Sequence, residues 1–175
     1  MRRVSVVGAS GSGKSTFARL LAGRLGVRHV ELDAIHWGPR WVPRPAEDFV
    51  RDGEAAVAED AWVVDGNYSV LQPAIWARAD TVVWLDPPGA RVLAQVYWRT
   101  LRYAMSQEEL WPGTDNRQPW NDVVAPWSRD SIVRWSVHQL RSHPGRYGSA
   151  MTDPANAHLT FHRLRSRREI DAFLG

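Results

Sequence analysis

Short apolar runs alternate with longer amphipathic segments along the first half of the chain. The apolar runs have the length of buried strands and cover residues 3–7, 28–32, Trp62–Asp65 and 81–86. Apolar residues recur at helical spacing over residues 15–25, just before Gly26, and helical character is also predicted over residues 45–59. Because strands alternate with helices, we predict an α/β fold with a parallel sheet.

The second half of the chain places a polar stretch between two helical patterns. Helices are predicted over residues 90–105 and 127–141, and His143-Pro144-Gly145 is expected to close the second one. Between them, residues 106–126 are rich in Pro, Gly, Asp and Asn, which is typical of exposed turns. We therefore predict a mobile lid over about residues 100–127.

The C-terminal segment and the composition indicate one folded unit. A last strand is predicted over residues 158–164 and a last helix over Arg167–Leu174. A chain of 175 residues with 44% apolar content has the size of one domain, so residues 1–175 are expected to form it. The chain has no cysteine and no apolar run that approaches a membrane span, which fits a cytoplasmic protein.

The basic residues are unequally divided between arginine and lysine. The net charge is +3 and the pI is about 9.8, a balance that suits nucleotide phosphates as well as nucleic acid. Of the 22 basic residues, only Lys14 is a lysine. Because the planar arginine fork cannot replace a compact ammonium group between phosphates, this distribution singles out Lys14.

Lys14 belongs to a glycine-rich motif between the first strand and the first helix. The motif is the P-loop, with the consecutive residues Gly8, Ala9, Ser10, Gly11, Ser12, Gly13, Lys14 and Ser15. Backbone N–H groups of such a loop surround phosphates, the lysine contacts the β- and γ-phosphates, and the serine binds Mg²⁺. Thr16 adds a hydroxyl either for the α-phosphate or for the start of the helix. The sequence thus predicts ATP or GTP and Mg²⁺ as cofactors.

Three aspartates follow predicted strands, at the edge of a parallel sheet where ligands gather. Asp65 and Asp86 each end an apolar run as the Mg²⁺-binding Walker B aspartate does, and Asp65 is favoured because Pro87-Pro88 follows Asp86 directly. Asp33 is predicted to accept the proton of an acceptor hydroxyl or to orient the acceptor, although it could instead cap a turn. His36 could also be a base, but a packed histidine is the simpler interpretation.

These motifs resemble the P-loop kinases related to adenylate kinase and shikimate kinase, and most of all the bacterial topology modulation proteins. The resemblance covers nearly the whole chain and rests on the P-loop, on Leu32-Asp33 with Trp37, on residues 38–41, on residues 62–68 and on residues 81–86. It implies a three-layer P-loop fold with a five-stranded parallel sheet of order 2-3-1-4-5. It also implies that Asp65 lies beside the P-loop strand and that a helical lid follows the fourth strand.

The chain departs from adenylate kinases immediately after Asp65-Gly66. Asn67-Tyr68-Ser69 stands where those enzymes have Phe-Pro-Arg, and the missing arginine argues against a nucleoside monophosphate as acceptor. Asn67 and Tyr68, together with Asp33, are therefore candidate contacts for another acceptor.

Arginines near the predicted lid are candidates for the transferred phosphoryl group. Arg99 and Arg102 share a helix face at the lid entrance and Arg117 lies inside the lid, although a solvated basic face is an alternative for each. Arg165 follows the last strand, where related kinases hold adenine, and is a candidate nucleotide contact.

The ten tryptophans divide into expected core residues and loop residues. Trp62, Trp84 and Trp135 lie in periodic apolar segments and are predicted to be core. Trp37 and Trp41, with Trp111 and Trp120, lie in loops, where they could stack on a planar or sugar-like acceptor or pack the lid shut.

Two functions remain open from the sequence. The favoured one is a Mg²⁺- and ATP-dependent kinase for a small hydroxyl compound, such as a nucleotide or nucleoside, with Lys14, Asp33, Arg99 and Arg102 as catalytic residues. The alternative is a nucleotide-switched regulatory ATPase that acts on a macromolecule, possibly DNA. The basic pI weakly favours this alternative, and the oligomeric state is left open.

Overall fold

A single five-stranded sheet organises the computed structural model, which describes residues 1–129 and 131–175. All strand pairs are parallel, and the order β2-β3-β1-β4-β5 confirms the predicted topology. The strands are β1 (Arg3–Gly8), β2 (Arg28–Glu31), β3 (Trp62–Asp65), β4 (Thr81–Leu85) and β5 (Thr160–Leu164). The P-loop follows the central strand, so strands on both sides can supply side chains to it.

Eight α-helices lie in the described part of the chain. They are α1 (Lys14–Leu25), α2 (Leu32–His36), α3 (Ala46–Ala56), α4 (Gln72–Arg78), α5 (Gly89–Ser106), α6 (Asn121–Val124), α7 (Ile132–Ala150) and α8 (Arg167–Leu174). Short 3₁₀ turns cover Pro39–Trp41 and Pro154–Asn156. None of the helices in residues 1–129 and 131–175 is long and apolar enough to cross a membrane.

The central strand is buried because the two faces of the sheet carry separate apolar layers. Val4 and Val6 pack with Phe17 and Leu21 of α1 on one face. On the other face, Val7 belongs to a cluster built on Trp62, Leu71, Trp84 and Tyr147. Burial on both faces explains why the three inner strands β1, β3 and β4 are mostly apolar in sequence, whereas the edge strands β2 and β5 are not.

The predicted strand over residues 28–32 is one residue too long. β2 ends at Glu31, and the chain turns at once into α2, which the sequence pattern did not predict. Leu32, the first residue of α2, is buried under Gly66, so its apolar character reflects core packing rather than strand pairing.

The prediction that His143-Pro144-Gly145 ends a helix is wrong. α7 starts at Ile132, where the Ser131 hydroxyl caps it, and continues past Pro144 to Ala150. His143 and Tyr147 lie on the buried face of α7, and this packing outweighs the local effect of proline. The predicted helix over residues 127–141 also spanned residue 130, which lies outside the described residues.

Two of the three predicted core tryptophans are buried. Trp62 and Trp84 are at most 1% exposed, which confirms the prediction for them. Trp135 is 54% exposed, and the prediction for it is wrong. It stacks on His138 outside the helix stripe formed by Ser136, Gln139 and His143, because neighbouring residues of a helix point about 100° apart.

Candidate active site

The P-loop adopts a conformation that its glycines permit. Gly8 and Gly11 have φ angles of 149° and 84°, which residues with a side chain rarely adopt. A Cβ atom on Gly8 would lie 2.5 Å from the carbonyl oxygen of Leu85, and one on Gly11 would lie 2.8 Å from that of Val92. The loop therefore fits closely between β4 and α5, with its helix α1 starting at Lys14.

Side chains from distant segments brace the P-loop backbone. Asn67 accepts a hydrogen bond from the Gly8 amide at 3.2 Å and donates one to the Gly8 carbonyl at 2.7 Å. Tyr147 donates to the Asn67 side chain, and Gln139 accepts from the Ser10 amide at 2.7 Å. The amide group of Asn67 thus serves the phosphate loop, and its expected contact with an acceptor stays a prediction.

The bracing by α7 could not be read from sequence. Gln139 and Tyr147 are 6% and 1% exposed. Each lies more than a hundred residues after the P-loop in sequence. The only local signal is that Gln139 is a polar residue on the helix stripe that carries Val133 and Tyr147. A buried polar group at such a position requires a partner, but the sequence does not identify it.

Lys14 and Asp65 both lie beside the phosphate loop and interact electrostatically. The Lys14 ammonium donates to the Ala9 carbonyl at 3.4 Å, and burial lowers its pKa while Asp33 and Asp65 oppose that shift. Asp65 is 3% exposed and accepts from the Ser15 hydroxyl at 2.7 Å and contacts His29 Nε2 at 2.7 Å. Asp86, the other Walker B candidate, instead accepts from Arg163 at the β4–β5 edge.

The pair formed by Ser15 and Asp65 is chemically suited to Mg²⁺. The two side chains present hard oxygen atoms at the mouth of the P-loop, and Mg²⁺ commonly uses one or two such ligands beside phosphates and water. No group of three His, Asp or Glu side chains that could hold a metal by itself occurs in residues 1–129 and 131–175. The donor set therefore fits a cation that is bound jointly with a nucleotide.

Asp33 lies in the first turn of α2, directly after β2, in a fixed environment. Its carboxylate accepts a hydrogen bond from the Tyr68 hydroxyl at 2.7 Å. Burial and the charge of Asp33 raise the pKa of Tyr68, so the phenol remains a proton donor. His36 packs against Trp37, Phe49 and Tyr68, and burial lowers its pKa. This environment is that of a packed, neutral histidine.

Glu31 is a candidate site residue that sequence reasoning missed. It ends β2 two positions before Asp33, and burial together with the charges of Asp65 and Asp33 raises its pKa. The Trp111 indole of the predicted lid lies close to its carboxylate and opposes this rise in pKa. The signal in the sequence is the pattern Glu31-Leu32-Asp33, in which two acidic residues flank a buried leucine.

The predicted arginines occupy different places. Arg99 donates to the Ser10 hydroxyl at 3.2 Å, so it does reach the phosphate loop. Arg102 is exposed over the ring of Tyr103, and helical spacing alone did not bring it to the loop. Arg117 contacts Asp115 and the Gln107 carbonyl within the lid. Arg165 lies after β5, where its backbone amide donates to Glu169.

The lid segment docks on the loop that follows α2. Backbone and side-chain hydrogen bonds join Arg40 to Thr114, Trp41 to Asn116 and Gly38 to Asn116, at 2.6 to 3.0 Å. The Trp41 indole donates to the Arg117 carbonyl at 2.9 Å. Trp41 packs edge-on against Trp37 and Trp111, at ring distances of 5.5 and 5.7 Å. Trp120, by contrast, is 49% exposed.

A P-loop after the central strand of this sheet defines the P-loop kinase fold of the adenylate-kinase-like type. Solved structures with this fold match nearly the whole chain. A shikimate kinase from Acinetobacter baumannii, in complex with shikimate, has a TM-score of 0.58 at 16% identity and covers 98% of this chain and 88% of its own. A gluconokinase from Sinorhizobium meliloti 1021 has a TM-score of 0.53 at 17% identity and covers 99% and 91%. A sugar kinase from Janibacter sp. HTCC2649 has a TM-score of 0.52 at 20% identity and covers 99% and 92%.

Two curated proteins are similar over about half of the chain. Shikimate kinase 2 from the chloroplast of Oryza sativa subsp. japonica is 34% identical over 113 residues, which are 54% of this chain and 37% of that protein. Shikimate kinase from Thermosynechococcus vestitus is 36% identical over 107 residues, 53% of this chain and 57% of that protein. No protein-family model matches the chain. The resemblance to topology modulation proteins finds no support among these relatives.

Proposed function

We propose that the protein is an ATP-dependent small-molecule kinase, which transfers the γ-phosphate to a hydroxyl group of an acceptor. The observation that carries this proposal is the pairing of an intact P-loop with Asp33, a carboxylate that couples electrostatically to Lys14 and is held by Tyr68. A regulatory ATPase would not need a proton acceptor held on that side of the cleft. The similarity to shikimate kinases supports the same reaction class and ATP as the donor.

The phosphate side of the cleft holds and neutralises the triphosphate. P-loop amides and the Lys14 ammonium bind the β- and γ-phosphates, and Thr16 lies in the first turn of α1 for the α-phosphate. Ser15 and Asp65 would hold Mg²⁺, which would neutralise phosphate charge when bound. Arg99, beside Ser10, donates to the transferring phosphoryl group as its charge shifts.

The acceptor side of the cleft supplies the proton acceptor. Asp33 takes the proton of the acceptor hydroxyl as that oxygen forms a bond to the γ-phosphorus and the bond to the ADP oxygen breaks. The hydrogen bond from Tyr68 fixes one Asp33 oxygen and leaves the other for the acceptor. Trp37 and Trp41, whose rings meet edge-on at 5.5 Å, are assigned to contact with the acceptor. The cytoplasmic location stays a prediction from composition.

The test is a transfer assay with labelled ATP and a panel of nucleosides, sugars and hydroxy acids, scored by product mass. Asp33→Asn is expected to lower turnover of the accepted compound by roughly 10²- to 10⁴-fold, because it removes the general base but keeps the shape. Nucleotide binding should be unchanged, since the P-loop is intact. The matched control is Asp60→Asn on the exposed turn before β3. Full transfer by Asp33→Asn would show that the assigned base is wrong.

A further inference from the structure

The acceptor side of the cleft brings two carboxylates, Glu31 and Asp33, close together. Among the described residues, Lys14 and Arg99 beside the phosphate loop act on both of them electrostatically, and His29, which contacts Asp65, acts on Glu31. The wall of this side consists of the Glu31 and Asp33 carboxylates, the Tyr68 hydroxyl and the indoles of Trp41 and Trp111, and we call this set the acceptor wall. Asp65 adds a third carboxylate beside Glu31 and acts on it electrostatically. A ligand here meets carboxylates and aromatic faces.

The neighbouring cations are already engaged elsewhere. Among the described residues, Lys14 and Arg99 both couple electrostatically to Glu31 and Asp33, and their own contacts are with Ala9 and Ser10 of the phosphate loop. Arg44, after the Trp41 loop, pairs with Asp52 at 2.6 Å.

The lid arginine is likewise engaged. Arg117 pairs with Asp115 at 3.1 Å and donates to the Gln107 carbonyl. Arg40 is exposed on the outer turn beside Trp41. Apart from Arg40, the described cations near the acceptor wall are therefore paired with acidic side chains or lie against the phosphate loop.

This charge distribution discriminates against anionic acceptors. A ligand carboxylate or phosphate about 5 Å from one wall carboxylate, at an effective dielectric constant of about 20, loses affinity on the order of 100-fold relative to a neutral isostere. Hydroxyl and ammonium groups have the opposite preference, because they donate hydrogen bonds to ionised carboxylates.

The aromatic part of the acceptor wall suits a ring with an apolar face. Trp41 and Trp111 meet edge-on at 5.7 Å, and hydrogen bonds between the lid and residues 38–41 hold the two indoles together. A cyclic polyol presents C–H groups on its faces and hydroxyls at its edge. It can therefore pack on an indole while its hydroxyls reach Glu31 and Asp33.

We infer that the phosphoryl acceptor is a cyclic polyol without negative charge, such as a sugar or an amino sugar. This inference rests on the proposed kinase function and specifies its acceptor. It differs from what the names shikimate kinase and gluconokinase suggest, because shikimate and gluconate are carboxylates, and it agrees in class with the name of the sugar kinase.

The test uses ring compounds that differ in charge at one position. Glucose, glucosamine, glucuronate and the methyl ester of glucuronate, with shikimate and its methyl ester, are offered to the full chain with ATP and Mg²⁺. Product is measured by mass, and binding is measured by tryptophan fluorescence in the presence of a non-hydrolysable ATP analogue. Uncharged or aminated rings should bind at least about 10-fold more tightly than the matched anions.

The binding readout separates the two proposals. Binding with the expected charge preference but no phosphorylated product would contradict the kinase function and leave the acceptor-wall inference supported. Preference for glucuronate or shikimate over its own ester, or binding of none of the uncharged and aminated rings, would overturn the inference.

A charge-neutral variant sharpens the result. Glu31→Gln should shift the preference between glucuronate and its ester by about 10-fold toward the anion, because one wall charge is removed while the side-chain shape stays. Glu59→Gln, at an exposed residue paired with Arg28, is the matched control and should leave the ratio unchanged. An unchanged ratio in Glu31→Gln, with a normal melting temperature, would contradict the inference.

Discussion

The two sides of the cleft are built in different ways. The phosphate side is one continuous segment, residues 8–15, whose backbone supplies the donors and whose conformation depends on Gly8 and Gly11. The acceptor side is assembled from β2, α2, Tyr68 and the lid, and it acts through side chains. Backbone donors bind any triphosphate, whereas side chains define one acceptor. The comparison therefore predicts different consequences for substitutions on the two sides.

The largest expected effect is on the phosphate side. Lys14→Ala should lower phosphoryl transfer by roughly 10³-fold or more, because an ammonium that neutralises the β- and γ-phosphates is lost. Lys14→Arg should not restore the rate, since the planar fork does not fit the loop. The measurement is kcat/KM for ATP. Arg19→Ala, on the exposed face of the same helix, is the control. Normal turnover by Lys14→Ala would contradict the assignment of Lys14 to the phosphates.

The next prediction concerns the effect of His143, a buried residue of α7, on stability at different pH values. His143 is 5% exposed on α7, and burial with the charge of Lys14 lowers its pKa to about 4. In the unfolded chain the same histidine has a pKa of about 6.5 and binds a proton more readily. The free energy of unfolding is therefore at its full value above pH 6.5 and falls as the pH decreases from 6.5 to 4. The loss is on the order of 3 kcal/mol at most.

Urea unfolding measured as a function of pH tests whether His143 causes this loss of stability. His143→Leu should flatten the decline in the free energy of unfolding between pH 6.5 and pH 4, because the titrating group is removed. The exposed His138 on the same helix offers the control His138→Leu. If His138→Leu flattened the curve and His143→Leu did not, the buried site would not be the source.

A smaller effect is expected from the brace on Ser10. Gln139→Leu leaves the Ser10 amide without its partner and should weaken ATP binding by about 10-fold, with little change in the KM of the acceptor. Calorimetric titration with ATP measures it. Gln95→Leu on the exposed side of α5 is the matched control. A change confined to the acceptor KM would show that α7 serves the other side of the cleft.

The last prediction concerns the acceptor side, with an effect no larger than that of Gln139→Leu. Tyr68→Phe keeps the ring that packs on His36 and Phe49 but removes the hydroxyl that donates to Asp33. Turnover should fall by about 10-fold, because the proton acceptor is less well oriented, while ATP affinity stays the same. Tyr97→Phe on α5 is the control. Weaker ATP binding in Tyr68→Phe would contradict the assignment of Tyr68 to the acceptor side alone.

Local patterns predicted the frame of the site well. The sequence patterns located all five strands, the last of them from the alternating residues 158–164, and the P-loop was placed by motif alone. The preference for Asp65 over Asp86 agrees with their contacts, because Asp65 lies against Ser15 and Asp86 against Arg163. The pattern failed where tertiary packing overrides local preference, as at Leu32 and Pro144.

The sequence by itself determined the phosphate loop, since its function depends on adjacent residues and on backbone angles that glycine alone adopts freely. It also determined the positions of the five strands and of the longer helices α1, α3, α5 and α8 through their periodicity, whereas the short helices α2, α4 and α6 were not predicted. Only the tertiary structure decided which side chains meet across the cleft. Gln139 reaches Ser10 and Trp111 reaches Glu31 because the chain folds back on itself. Contacts between residues far apart in sequence follow from packing, and no local pattern encodes them.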